Sequence, residues 1–270
     1  ALVHNQIKVT LLRAYFGVTM DDFSLLIDLH IDGERQGPGS NEQTKCAISL
    51  AGLSGTERLI IVDMGCGTGA STLVLAKELN AAITAVDFLP EFLERLDEKA
   101  EKKGVAHKIT TLAMPMEEAS FADSSVDVIW SEGAIYNIGF EKGIRDWYRY
   151  LKPGGILAVS ELTWLSETRP EEISRHWHNE YPEVAKASEK IAHLERNGYT
   201  PLGYFILPDS CWMDSYYTPM QQRFASFLDK HNFSKEAKEI VASEEREISL
   251  YQRYKEFVSY GFYIARKNKQ

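Results

Sequence analysis

Asp63, Gly65, Cys66, Gly67 and Gly69 stand within a few positions of one another, directly behind the apolar run Leu59, Ile60, Ile61 and Val62. The run suits a strand buried on both faces. Alternate glycines let the backbone take positive φ and bring its N–H groups close to a ligand. The helix expected to follow adds unpaired amides. A strand, a glycine turn and a helix in this order form a cradle for an adenosine-containing cofactor. Asp87 strengthens the reading, because it ends the next apolar run, residues 82–86, about 20 residues after the glycines, where a carboxylate can accept hydrogen bonds from both ribose hydroxyls. The plainer role for Asp87 is a helix cap ahead of Pro90.

These residues need a scaffold, and the hydrophobic pattern supplies one. Strands are expected at residues 59–62, 82–86, 109–113, 126–130, 156–159, 203–207 and 261–266, with helical patterns between them. Amphipathic helices are expected at residues 7–29 and 41–50, and others at 90–103, 170–197, 213–230 and 234–260. Polar residues 33–40 form a turn between the first helices, and Gln36 to Gly39 can line the cofactor entrance. This alternation gives one large α/β domain: an N-terminal helical cap over residues 1–54, a cofactor-binding core over 55–165, and a second half over 166–270 that carries lid insertions and the last two strands.

Gly65, Gly67 and Ala70 also satisfy the loose G-x-G-x-x-G/A pattern of nicotinamide and flavin enzymes. With Asp63 two residues before the first glycine and Gly69 as a third, however, the stretch resembles motif I of the class I S-adenosylmethionine-dependent methyltransferases. Two further stretches resemble that family: MPMEEASFADSSVDVIW, residues 114–130, and LKPGG, residues 151–155, a helix end feeding a fifth strand. The resemblance covers residues 55–165. It implies a Rossmann-like sheet of seven strands, mostly parallel, with an antiparallel last strand, and S-adenosylmethionine as the cofactor. Asp63, Gly65, Cys66, Gly67 and Gly69 would then hold the donor and Asp87 its ribose. Phe88 would stack on adenine, while the Met116 amide and the Glu117 carboxylate would read the adenine edge. Pro115 stands where the family often has Asp, so the usual contact to the exocyclic amine is missing.

Ligands gather beyond the carboxyl ends of parallel strands. Ser131, Glu132 and Tyr136 therefore belong at the donor's methyl group, with Glu132 and Tyr136 the leading catalytic candidates. Glu161, His176, His178, Tyr216 and Tyr217 are further candidates on the rim, and Tyr136, Trp164, Trp212, Tyr216 and Tyr217 could wall an apolar pocket. The Asn/Asp-Pro-Pro-Tyr signature of many amino-methylating enzymes is absent, which directs the reading to a small-molecule acceptor methylated at oxygen or nitrogen. The alternatives are an NAD(P)-dependent oxidoreductase and a non-catalytic S-adenosylmethionine binder.

A net charge of −9 and a pI near 5.4 argue against a nucleic-acid partner. Cys46, Cys66 and Cys211 are too scattered for a disulfide framework or a zinc site, and His176 and His178 alternate, so on a helix they would face different ways; no metal is expected. No apolar run reaches the ~20 residues of a membrane span and no signal-peptide pattern opens the chain, so no membrane partner and a cytoplasmic setting are expected. The C-terminal helices offer a surface for a homodimer. Their charges, residues 236–255, read as a solvated face.

Overall fold

The computed structural model describes residues 20–53 and 57–269. The expected helix before residue 20, with Val9, Leu11, Leu12, Tyr15 and Phe16, lies outside them. Two helices, α1 (Met20–Ile31) and α2 (Asn41–Leu50), precede β1 (Leu59–Met64). Ser40 caps α2, its hydroxyl accepting from the Gln43 amide. Next come α3 (Ala70–Glu78), β2 (Ala81–Asp87), α4 (Pro90–Lys102), β3 (Ile109–Ala113), β4 (Val126–Glu132), α5 (Phe140–Trp147) and β5 (Leu151–Trp164). The second half supplies α6 (Glu171–Glu180), the short β6 (Ala185–Lys186), α7 (Ala187–Arg196) and β7 (Tyr199–Ile206). The chain then forms α8, which begins as Asp209–Trp212, widens into a π turn over Met213–Tyr217 and continues as Thr218–Lys230. The long α9 (Lys235–Tyr254) and β8 (Val258–Lys267) complete it.

The sheet order is β3-β2-β1-β4-β5-β8-β7, with β6 paired to the end of β5. β1 to β5 run parallel, and β8 inserts antiparallel between β5 and β7. The expected architecture is present with one addition, the two-residue β6, which is too short to leave a period in the sequence. Several boundaries differ from the expectation: β5 runs over Leu151–Trp164, β7 begins at Tyr199, and β6 divides the helical stretch expected over residues 170–197. LKPGG lies inside β5 as an irregularity opposite residues 126–128, with Gly154 at φ 81°, and the expected last helix stops at Tyr254. Successive strand residues point to opposite faces. Ile61, Ile83, Val128, Trp130, Ile156 and Phe262 join the core under α2, α3, α8 and α9, whereas Val62, Ile129, Leu157, Val159 and Tyr263 join the one under α5 and α7. Covering both faces explains the continuous apolar runs. Among the described residues no helix is long and apolar enough to cross a membrane.

Candidate active site

The order reverses between β1 and β4, so the crevice at their carboxyl ends is where a doubly wound sheet binds its ligand. The glycine turn sits there. Gly65, Gly67 and Gly69 take φ of 74°, 56° and 87°, and a Cβ on them would lie 2.4 Å from the Ala134 Cβ, 2.7 Å from the Gln36 Oε1 and 2.1 Å from the Leu96 Cδ1. No other residue fits such a cradle. The Gly65 and Cys66 amides donate to the Val86 carbonyl, which ties the turn to β2. Cys66 is buried, with its thiol pushed up by desolvation, and fills space as a small side chain.

Two carboxylates frame the turn. Asp87 is half-buried at the end of β2, its Oδ2 accepting from the Gly67 amide (2.8 Å) and its Oδ1 from the Leu89 amide (3.1 Å). The helix that starts at Pro90 has Leu89 as its N-cap with no side-chain cap bond, so Asp87 is no helix cap; it turns the chain into the helix from the end of β2. Desolvation pushes its carboxyl up to about 6 against these bonds. Asp63 is fully buried; its Oδ2 accepts from Ser71 (2.9 Å) and Thr72 (2.6 Å), and its Oδ1 has no partner among the described residues. Burial pushes Asp63 up to about 7. An orphaned carboxylate oxygen and a glycine cradle are what the ammonium and adenosine ends of S-adenosylmethionine require, so the residues present fit that cofactor.

The segment between α1 and α2 closes over the turn. Gln36 donates through Nε2 to the carbonyls of His30 (3.2 Å) and Gly33 (3.1 Å), and its Oε1 accepts from the Thr68 amide (2.9 Å) and hydroxyl (3.1 Å). Next to Gln36, Arg35 locks onto β4. Its Nη1 lies 2.8 Å from the Glu132 Oε2, while the Glu132 Oε1 accepts from Thr44 (2.7 Å) and Trp130 Nε1 (3.0 Å). Both side chains of the pair are 8% exposed. Glu132, a leading catalytic candidate by position, thus has both oxygens hydrogen-bonded to Arg35, Thr44 and Trp130. The Ser131 hydroxyl donates to the Met64 carbonyl (2.8 Å) and stitches β4 to β1.

Phe88 is half-buried and stacks on Phe23 of α1 (6.1 Å between centroids). Met116 lies against the glycine turn, its Cε 3.0 Å from where a Gly65 Cβ would sit, while the Glu117 side chain is exposed. On the other side, buried aromatic rings gather beyond β4 and β5. The Tyr136 ring meets Tyr181 edge-on at 5.9 Å, and Tyr260 packs against the backbone at Gly133. Glu161 accepts from the Leu162 amide (2.6 Å) and Tyr181 (3.3 Å); burial pushes it up to about 7 although the buried Lys190 ammonium draws it down. The hydroxyls of Tyr136 and Tyr216 have no hydrogen-bond partner among the described residues. The other expected wall residues are used elsewhere. Trp212 stacks on Tyr251 and donates to Ser259, Tyr217 donates to Glu247, and Trp164 lies under the Arg169 guanidinium. His178 is exposed, and His176 packs edge-on against Trp177.

The sequence reading missed Arg35, Thr44, Tyr260, His30 and Glu244. A signal existed for the last: Val241, Glu244, Ile248 and Tyr251 recur at helical spacing and are buried, so Glu244 stands in an apolar stripe within an otherwise charged helix.

Comparisons with known proteins agree with this geometry. A family model described as "Methyltransferase domain" matches residues 61–155. The chain is 28% identical over 110 residues to a sterol 24-C-methyltransferase of Aspergillus fumigatus, covering 40% of this chain and 29% of that protein. It is 30% identical over 158 residues to a ubiquinone/menaquinone biosynthesis C-methyltransferase of Geobacter sp. (strain M21), covering 56% and 63%. The chain thus spans less than two thirds of these relatives' length. Among solved structures, a methyltransferase of Geobacter sulfurreducens in complex with S-adenosyl-L-homocysteine superposes with a TM-score of 0.78 at 21% identity, covering 92% of this chain and 98% of that one.

Proposed function

We propose that this chain, which belongs through residues 61–155 to the class I S-adenosylmethionine-dependent methyltransferases, moves a methyl group to a small, partly apolar acceptor. One observation carries the reading: the glycine turn is framed by Asp63, with an orphaned buried oxygen, and by Asp87 at the end of β2. Bound S-adenosylmethionine supplies an electrophilic methyl on a sulfonium centre. Asp87 holds the ribose hydroxyls with the lone pairs that Gly67 and Leu89 leave free, and Asp63 Oδ1 takes the ammonium of the methionine end. Phe88 and Met116 flank adenine, and Gln36 closes over the turn to exclude water. Methyl transfer depends mainly on positioning, which is the task of rigid walls such as Tyr136, Tyr181 and Tyr260.

The sequence reading favoured oxygen or nitrogen as the acceptor atom, and two of the relatives are named as C-methyltransferases. An acceptor with an ionisable hydroxyl accommodates both, since its charge is shared between oxygen and a conjugated carbon. The test is side-by-side calorimetric titration with S-adenosylmethionine, S-adenosylhomocysteine and reduced NAD. Binding of the first two alone supports the reading; binding of the nicotinamide alone replaces it with oxidoreductase chemistry on the same fold.

A further inference from the structure

The sheet ends in an open edge at β7, which has β8 on one side and no strand on the other among the described residues. Its sequence, YTPLGYFI, holds no charged residue, and every position from Pro201 to Ile206 is half-buried. Sheets usually protect such an edge with lysines, prolines, bulges or a covering helix, because unpaired N–H and C=O groups invite another strand. Here Pro201 and the bulge beside it protect the start of the strand alone. Leu50, 42% exposed, lies 3.4 Å from where a Gly203 Cβ would sit and widens the apolar surface beside β7.

The register decides which backbone groups face outward. The Leu207 amide donates to the Tyr260 carbonyl (2.9 Å), so by the alternation of an antiparallel ladder Phe205 and Gly203 also bond to β8. Tyr204 and Ile206 therefore turn their N–H and C=O groups away from the sheet, where no hydrogen-bond partner among the described residues meets them. These two residues complement each other. When two β7 strands run antiparallel about a twofold axis at Phe205, Tyr204 stands opposite the partner's Ile206, and every outward N–H finds an outward C=O. Phe205, stacked on Phe262 at 5.2 Å between centroids, then meets the partner's Phe205 on one face. Tyr204, lying on Tyr263 at 4.9 Å, packs beside the partner's Ile206 on the other. Pro201 and Pro208 fall outside the paired residues on both copies.

We propose that β7 pairs with β7 of a second copy of this chain, joining the two sheets about a twofold axis at Phe205. A second copy fits this edge because the register that satisfies Tyr204 and Ile206 is symmetric, and it sets apolar side chains together with no charge opposed. The pairing is closed as well: each copy spends its one β7 edge, so assembly stops at two. The surface is not the one expected from the C-terminal helices. β5 and β8 stand between it and the crevice at β1 and β4, so pairing leaves the donor site as it is.

Sedimentation velocity and a disulfide trap test this on the whole chain. Ile206→Pro removes an outward N–H and spares the ladder to β8. Phe205→Cys, made with Cys46→Ser to remove the exposed thiol, brings two thiols together at the axis, where opposed Cα atoms of such a pair lie about 4.5 Å apart. Thr110→Cys on β3, the opposite edge of the sheet, in the same background is the control. Thermal unfolding checks that each variant is folded. The expected result is a dimer at about 10 µM that dissociates at least about tenfold more readily in Ile206→Pro, with S-adenosylhomocysteine affinity within about twofold. Mild oxidation should link Phe205→Cys into a covalent dimer and leave Thr110→Cys unlinked. A chain that stays monomeric at about 100 µM, a dimer that folded Ile206→Pro leaves intact, or equal linking at the two edges overturns the proposal.

Discussion

Replacing Asp87 by Asn keeps the side chain's volume and removes its charge, which makes it the sharpest perturbation of the donor site. A carboxylate offers about four lone-pair sites. Two are used by the Gly67 and Leu89 amides, one on each oxygen, and the remainder face the crevice. In Asp87→Asn the amide group must present its NH2 to one of the two backbone N–H groups, donor against donor, or turn it toward the ribose and lose an acceptor there. Losing one charge-assisted bond costs about 1.5–3 kcal/mol, so S-adenosylhomocysteine should bind about 10- to 150-fold more weakly at pH 7.5. The group's position near 6 adds a second expectation. As pH falls through about 6 the carboxyl of the unaltered chain takes up a proton and loses acceptor capacity, so the affinity gap between the two chains narrows. Calorimetry across pH 5 to 8 measures both. A folded Asp87→Asn that binds within about twofold of the unaltered chain at pH 7.5 refutes the ribose role.

Three further outcomes follow from the same geometry. Arg35→Met leaves the 8% exposed Glu132 carboxylate without its cation, so urea unfolding should show a loss of about 3–5 kcal/mol, and adding Glu132→Leu should recover much of it. Gly69→Ala combines a φ of 87° with a Cβ 2.1 Å from the Leu96 Cδ1, and thermal unfolding should register a loss above ~2 kcal/mol; a neutral effect would contradict the described turn. Asp63 binds its proton more tightly when folded, about 7 against 3.8, because burial disfavours the charge. Its contribution to stability is fully present below 3.8 and is lost as pH rises toward 7. Asp63→Asn should therefore flatten the decline in unfolding free energy over that window.

Much of this molecule was legible in the chain because local chemistry and global topology agree. Residues 109–113 are a strand where the apolar pattern puts one, and Asp87 stands at a strand end because the strand, turn and spacing fix it there. Legibility failed where the deciding partner is remote. Glu132 is placed correctly after β4, yet what it does is set by Arg35 and Thr44, 97 and 88 positions away, and no period in the sequence records such a contact. Ser131 shows the same limit within the sheet, where a hydroxyl reached the neighbouring strand's carbonyl. The charges of α9 were read as solvated as a group, and Glu244 departs from that because it occupies a stripe position between Val241 and Ile248.

The short segment that carries Arg35 and Gln36 lies across the carboxyl ends of β4 and β1, held by a buried ion pair on one side and by Thr68 on the other. A strap fastened at two points has to unfasten before anything the size of a nucleoside passes beneath it. If the donor enters beneath this strap, the observed rate in rapid mixing should climb with donor concentration and level off at the rate of strap release. Weakening the Gln36 clasp with Gln36→Ala should raise that plateau and hasten departure of the spent donor, trading residence time for turnover.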